Sequence, residues 1–289
     1  MRTDGPVTCL RAPVCVLLLS LAIDGCETNP YTGRSQLLMT SVSQEMQLGA
    51  RAYEQVKNDP KLRQSHDRHE VEPVKRVAAR IIEAAKRSKY ASIAQQFQWE
   101  VTVIKDDKTA NAFALPGGKM AVYTGIFPVA KTEAGLAAVL GHEVVHALAR
   151  HGAERMSQGQ LTNVVVGVAG AAAGASGGSR AMSQATMAAL GVGAQVGVLL
   201  PFSRKHESEA DYVGILLAAE AGYDPRESIA LWERMAQLSS GGGSAEFLST
   251  HPSHGTRIEQ LETWMPEAMA IYQTKASVPP ATLPGAGEQ

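Results

Sequence analysis

The residues of this 289-residue chain that could do chemistry centre on His142-Glu143-Val144-Val145-His146. On a helix, residues four apart lie on one face, so His142 and His146 can bind one zinc ion together. Glu143 lies beside the first of them. It can reach a water that the metal activates, take its proton and pass it to a leaving amine. Ala149 and Gly152 stand where a metzincin needs Gly and His, so that class is excluded and a carboxylate from elsewhere must complete the site. Glu154 sits too close on the same helix, and the next acidic residue is Glu207, in His206-Glu207-Ser208-Glu209-Ala210-Asp211. Glu207 and Asp211, four apart, share a helix face, and Glu209 points away from it. Glu207 is therefore the expected third ligand, and Asp211 the expected acceptor for the outer N–H of His142. The blander alternatives are two surface histidines on a helix and a solvated acidic helix face.

Two helices have to position these groups. Thr132 can cap the first, expected to run to about residue 155, and the second is expected over 203–221, where Gly222 ends it and Asp224-Pro225 opens the next. Amphipathic spacing predicts further helices over 43–57 and 74–88 and one after Pro252 that includes Ile258 and Leu261. Strands are expected over 99–104, 111–115 and 119–124, with Pro116-Gly117-Gly118 as the turn between the last two. A flexible loop is expected over 239–244. His66 and His69 read as exposed in a charged loop, His151 falls on the wrong face for the metal of His146, and His206 reads as structural.

Composition bounds the rest. With 27 basic and 28 acidic side chains the net charge is −1, which gives no support for nucleic-acid binding. An apolar fraction of 45% is that of a globular protein with a core, and collagen-like, wholly disordered and disulfide-rich classes are excluded. The three cysteines, Cys9, Cys15 and Cys26, all lie near the start. Arg2 and Arg11, the apolar run 14–23 and the small residue Gly25 before Cys26 describe an export signal over 1–25 with Cys26 as the acylated residue. Asp24 departs from the usual pattern, and a conventionally cleaved signal or an uncleaved anchor is the alternative. Residues 26–40 are expected to be a lipidated tether, and 274–289 a disordered tail. The segment 157–201 is rich in Ala, Gly and Val and carries one charge, Arg180. It is expected to form two helices or a mobile lid over the site, against membrane insertion or plain core packing.

The chain resembles the zinc metallopeptidase family M48, which includes HtpX and the CAAX prenyl proteases, and within it the soluble periplasmic and lipoprotein branch and its mitochondrial Oma-like relative. The resemblance rests on Asn29-Pro30 with Thr32-Gly33-Arg34, Asn111-Ala112-Phe113-Ala114 with Pro116-Gly117-Gly118, residues 141–151, Ser203-Arg204 through Gly214, and Thr250-His251-Pro252 with Arg257. It implies an α+β, mainly helical, gluzincin-like domain over 41–273 with a zinc helix beside a small sheet. One zinc ion is held by His142, His146 and Glu207, and Glu143 serves as base and then acid. Asn111, Ala112, Phe113 and Ala114 form an edge strand that binds extended substrate by strand addition. His251 approaches the zinc, either to hold the enzyme latent or to assist the transition state, and Arg257 steadies the oxyanion or fixes its loop. The implied substrates are misfolded or unassembled envelope proteins, and the implied location is the periplasm, lipid-anchored to the outer rather than the inner membrane. No C-terminal repeat domain is expected. The rival readings are a chaperone-like binding lipoprotein, kept closed by His251 or the 157–201 segment, and a zinc-stabilised structural lipoprotein.

Overall fold

The computed structural model describes residues 26–172, 202–240, 246–251 and 255–285. The expected signal segment and residues 173–201 lie outside them, as does most of the expected 239–244 loop. The described chain opens with a hairpin of β1 (Cys26–Thr28) and β2 (Ser35–Leu37), then α1 (Val42–Lys57), α2 (Arg68–Ala85) and a short α3 (Ala91–Ala94). Strands β3 (Glu100–Ile104), β4 (Ala112–Leu115) and β5 (Lys119–Tyr123) follow, and a short α4 (Phe127–Ala130) leads into α5 (Glu133–Leu148). The rest is helical: α6 (His151–Ala172), α7 (Arg204–Glu220), α8 (Glu227–Ser240), a short α9 (Glu246–Thr250) and α10 (Arg257–Tyr272). No helix among the described residues is long and apolar enough to cross a membrane.

Local chemistry sets these boundaries. The Thr132 hydroxyl accepts from the Gly135 amide at 3.1 Å and caps α5, and the Ser203 hydroxyl accepts from the His206 amide at 3.3 Å and caps α7. The Thr132 cap falls where the sequence puts it, and α7 starts within one residue of the expected position. In the three-stranded sheet β5 is central, parallel to β3 and antiparallel to β4. Gly117 and Gly118 both take φ of +85°, which only glycine adopts without strain, and they turn the chain between β4 and β5 as expected. Strands β3 and β4 are thereby the two edges of the sheet among the described residues.

Helix α5 is the centre of the fold, with α2, α7, α8 and β4 packed around it. Nearly every residue from Leu136 to Leu148 is buried. Its tightest crossing is with α7, at Gly141 and Gly214. A Cβ on Gly141 would lie 2.8 Å from the Gly214 carbonyl oxygen, and one on Gly214 would lie 3.0 Å from the His142 amide nitrogen. The two backbones therefore touch one residue from His142, which brings the acidic face of α7 against the histidine face of α5.

Four features depart from the sequence reading. The helix expected to reach residue 155 ends at Leu148, and α6 restarts at His151. Between them Arg150 takes a left-handed φ of +56°. Its guanidinium is held by Glu45 at 2.6 and 3.1 Å, by the Thr40 carbonyl at 2.7 Å and by Glu27. Helix α2 starts six residues before the expected Val74, because Asp67 caps it by accepting from the His69 amide at 2.9 Å and Pro73 is accommodated inside. His69 is thus an exposed helical residue and not part of a loop. The expected tether is instead folded: Leu38 is buried, and the Met39 amide donates to Ser157 Oγ at 2.9 Å. The tail expected to be disordered is paired up to Leu283. The Glu133 amide donates to Ala281 at 2.9 Å, the Leu283 amide to Lys131 at 2.9 Å and the Val278 amide to Gly222 at 2.8 Å, with Leu283 buried. Backbone pairing of this kind needs no apolar pattern, so composition does not reveal it.

Candidate metal centre

Helix α5 supplies His142, Glu143 and His146, α7 supplies Glu207, and His251 follows the last turn of α9. Each is at most 3% exposed. Metal-binding atoms of His142, His146, Glu207 and His251 all lie within 4.8 Å of one another. The two Nε2 atoms of His142 and His146 are 3.0 Å apart, and Glu207 oxygens lie 3.5 Å from the first and 3.4 Å from the second. His251 Nδ1 lies 3.1 Å from both His142 Nε2 and Glu207 Oε1, and its Nε2 lies 3.3 Å from Glu143 Oε1. Imidazole nitrogens and a carboxylate are the donor set that zinc takes. Glu143 Oε1 and Glu207 Oε2 are buried and make no well-aligned hydrogen bond, with only His251 Nε2 at 3.3 Å and Arg257 Nη1 at 3.1 Å beside them, and a metal with its water would complete both. The residues fit a zinc ion.

The two α5 histidines are backed differently. His142 Nδ1 donates to Asp211 Oδ1 at 2.9 Å, as the sequence predicts. Asp211 also accepts from Arg257 Nη2 at 2.7 Å and pairs with its Nε. The guanidinium lies 3.3 Å over the Trp232 ring, with Nη1 3.1 Å from Glu207 Oε2. Arg257 therefore fixes two carboxylates of the site, a role beyond the two weighed for it. His146 Nδ1 instead meets His151 Nδ1 at 2.9 Å, and His151 Nε2 lies 3.1 Å from Glu209 Oε2. His151 does face away from the metal, yet the break at Arg150 turns it onto the back of His146. Glu209 also points away from the metal as expected, and reaches His151. Beside them His206 Nε2 lies 3.0 Å from Glu154 Oε2. Sequence reasoning missed this second layer. Its available signal was two further acidic residues, Glu154 and Glu209, each with a histidine three residues before it in the chain.

Electrostatics follow the same division. Burial opposes protonation of His142, but hydrogen bonds to Asp211 and Glu207 outweigh it and raise its pKa to about 9. In His146 burial wins and holds the ring well below its usual range. Burial likewise lowers His151 to about 4, against the hydrogen bond to Glu209. Burial raises Glu143, opposed by the charges of His251 and His142. Burial would raise Glu207 too, but His251, His142 and His146 hold it well below the usual carboxylate range.

Edge strand β4 runs past this centre. Asn111, Phe113 and Ala114 line a cleft together with Glu143, His146 and His251. Phe202, which the sequence did not single out, stacks on His146 with ring centres 3.9 Å apart.

A profile of Peptidase family M48 matches residues 69–265. The mitochondrial metalloendopeptidase OMA1 of Schizosaccharomyces pombe is 39% identical over 247 residues, covering 85% of this chain and 68% of that protein. Its human namesake is 34% identical over 265 residues, covering 89% of this chain and 49% of its own. The beta-barrel assembly-enhancing protease of Escherichia coli is 29% identical over 245 residues, covering 81% and 46%. The mitochondrial names correct the expectation of a periplasmic lipoprotein on the outer membrane, whose N-terminal pattern lies before the residues that the family profile matches. The profile covers more than half of the chain and both helices that carry the metal-binding side chains, so the chain belongs to Peptidase family M48 and is a zinc-dependent metalloendopeptidase.

Proposed function

We propose that this endopeptidase cleaves misfolded or unassembled polypeptides, with His142, His146 and Glu207 holding one zinc ion and Glu143 moving the proton. The observation that carries the reading is the buried convergence of those three side chains next to Glu143, whose Oε1 makes no well-aligned hydrogen bond. Bound zinc supplies Lewis acidity for the scissile carbonyl and acidifies water. Glu143, its pKa raised by burial, takes a proton from the attacking water and returns it to the leaving nitrogen. Asp211 keeps the His142 Nε2 lone pair free by accepting from Nδ1.

The free edge of β4 offers backbone N–H and C=O groups to an extended chain, with Asn111, Ala112, Phe113 and Ala114 as the substrate-binding positions. Recognition through backbone groups reads conformation more than sequence, which suits unfolded segments. One relative's name, beta-barrel assembly-enhancing protease, joins proteolysis to the assembly of other proteins and supports the same substrate class. His251 lies against Glu207 and Glu143, a position from which it can serve either of the two roles weighed for it.

The test is cleavage of reduced casein by the wild type and by Glu143→Gln, with zinc content measured in both. Cleavage by the wild type alone, at equal zinc, is the expected result. Casein binding without cleavage by either protein would sink the proposal in favour of a zinc-bearing binding protein.

A further inference from the structure

Helix α5 presents two zinc-side histidines, and a neutral imidazole carries only one N–H. Each ring must keep that hydrogen on Nδ1 if its Nε2 is to offer a lone pair to the metal. For His142 a carboxylate settles the matter directly, because Asp211 can only accept. His146 has no carboxylate at its Nδ1; it has His151, which can accept or donate.

The geometry beyond His151 removes that ambiguity. His151 Nε2 lies 3.1 Å from Glu209 Oε2, and an ionised carboxylate only accepts, so Nε2 carries the hydrogen of His151. Its Nδ1 is then a lone pair. That lone pair accepts from His146 Nδ1 at 2.9 Å, and the Nε2 of His146 is left free towards Glu207 and His142. Glu209 is itself saturated with donors. Arg34 donates to its Oε1 at 2.9 Å and to its Oε2 at 2.8 Å, and the Thr32 hydroxyl donates to Oε1. The same guanidinium holds Glu154 of α6 at 2.7 and 2.8 Å, so one side chain from the N-terminal hairpin clamps α6 to α7. His151 is fully buried, so water does not compete for either of its nitrogens.

We propose that Glu209 and His151 form a relay that fixes the hydrogen of His146 on Nδ1 and so sets its Nε2 for zinc, with Arg34 and Thr32 of the N-terminal hairpin locking the far end. The relay rests on the assignment of His146 as a zinc ligand. None of these four residues touches metal or substrate; they are positioning residues that act through His146. A consequence is that the 29–36 segment belongs to the zinc site, although it lies more than a hundred residues from His146 in the chain.

The test is zinc affinity of the full chain, measured by competition with a chelator, alongside melting of the metal-free protein. His151→Leu removes both nitrogens. Glu209→Gln keeps the shape but turns an amide NH2 towards donors. Both variants are expected to weaken zinc binding roughly 10- to 100-fold. His151→Gln carries one acceptor and one donor on a planar amide and is expected to restore most of the loss, which a purely space-filling role would not predict. Arg34→Gln is expected to weaken zinc less than Glu209→Gln. Should His151→Leu fail to fold, Glu209→Gln against His151→Gln carries the same comparison. Wild-type zinc affinity in a folded His151→Leu or Glu209→Gln, or a His151→Gln as weak as His151→Leu, would overturn the relay while leaving the zinc assignment intact. A wild type that takes up no zinc would overturn the zinc assignment itself, and the relay with it.

Discussion

His142 and His146 sit one turn apart on the same helix, yet their surroundings share little. The His142 side is short and charged: one carboxylate, Asp211, and one arginine, Arg257, laid on Trp232. The His146 side is long: a second histidine, then Glu209, then Arg34 from the other end of the chain. Helix α7 serves both. Glu207 faces the metal, Asp211 backs His142, and Glu209, two residues from each, backs His146 through His151. A direct carboxylate fixes a ring in one step and ties it to an adjacent helix. A relay fixes it in two and makes the site depend on whether a remote hairpin is docked.

The comparison breaks most sharply at Asp211. Asp211→Leu leaves Arg257 buried without its main partner, and removing one member of a buried pair costs about 3–5 kcal/mol. Denaturant unfolding should show that loss, and zinc affinity should fall together with it. Glu209→Gln should instead weaken zinc with a smaller loss of stability, because Arg34 keeps Glu154. Equal destabilisation by the two substitutions would erase the distinction between the two sides.

Gly214→Ala strikes the surface common to both. The new Cβ would meet backbone at 3.0 Å, which no side-chain rotation relieves, and overpacking of this kind costs about 1–3 kcal/mol. The unfolding midpoint should drop, and zinc should weaken because α7 is displaced from α5.

Acid sensitivity separates the sides more gently. Burial would raise the Glu154 carboxyl, but hydrogen bonds from His206, Arg34 and Gln36 hold it well below its ordinary value of 4.5. A carboxylate depressed in the folded state contributes stability above its unfolded pKa and loses it as pH falls through the folded one. The wild type should therefore lose stability below about pH 4.5 more steeply than Glu154→Gln, which has no such proton to take up. Urea midpoints measured at descending pH give the two slopes, and parallel slopes would remove Glu154 from the account.

The sequence makes the His142 side legible and hides the His146 side, for physical reasons. His142, His146, Glu207 and Asp211 follow from spacings of four on two uninterrupted helices, and the cap Thr132 announces where the first of them begins. The turn at Gly117-Gly118 and edge strand β4 follow from glycines at positive φ. His151 lies past a break that no glycine marks, since Arg150 takes the left-handed conformation and is held there by Glu45 and Thr40 from another element. Helical spacing carried through that break places His151 correctly off the metal but misses that it reaches His146. The hairpin at 26–37 is docked by Arg34 and Gln36 onto residues far away in sequence, and the tail by amide pairing up to Leu283, so neither segment carries a periodic signal.

The central claim is that zinc is held by two histidines of α5 and one carboxylate of α7. The most direct measurement is zinc retained after dialysis against a chelator, in the wild type and in Glu207→Ala, with folding checked by circular dichroism. The account predicts one zinc per chain in the wild type and none in a folded Glu207→Ala. Full retention of zinc by Glu207→Ala would contradict it.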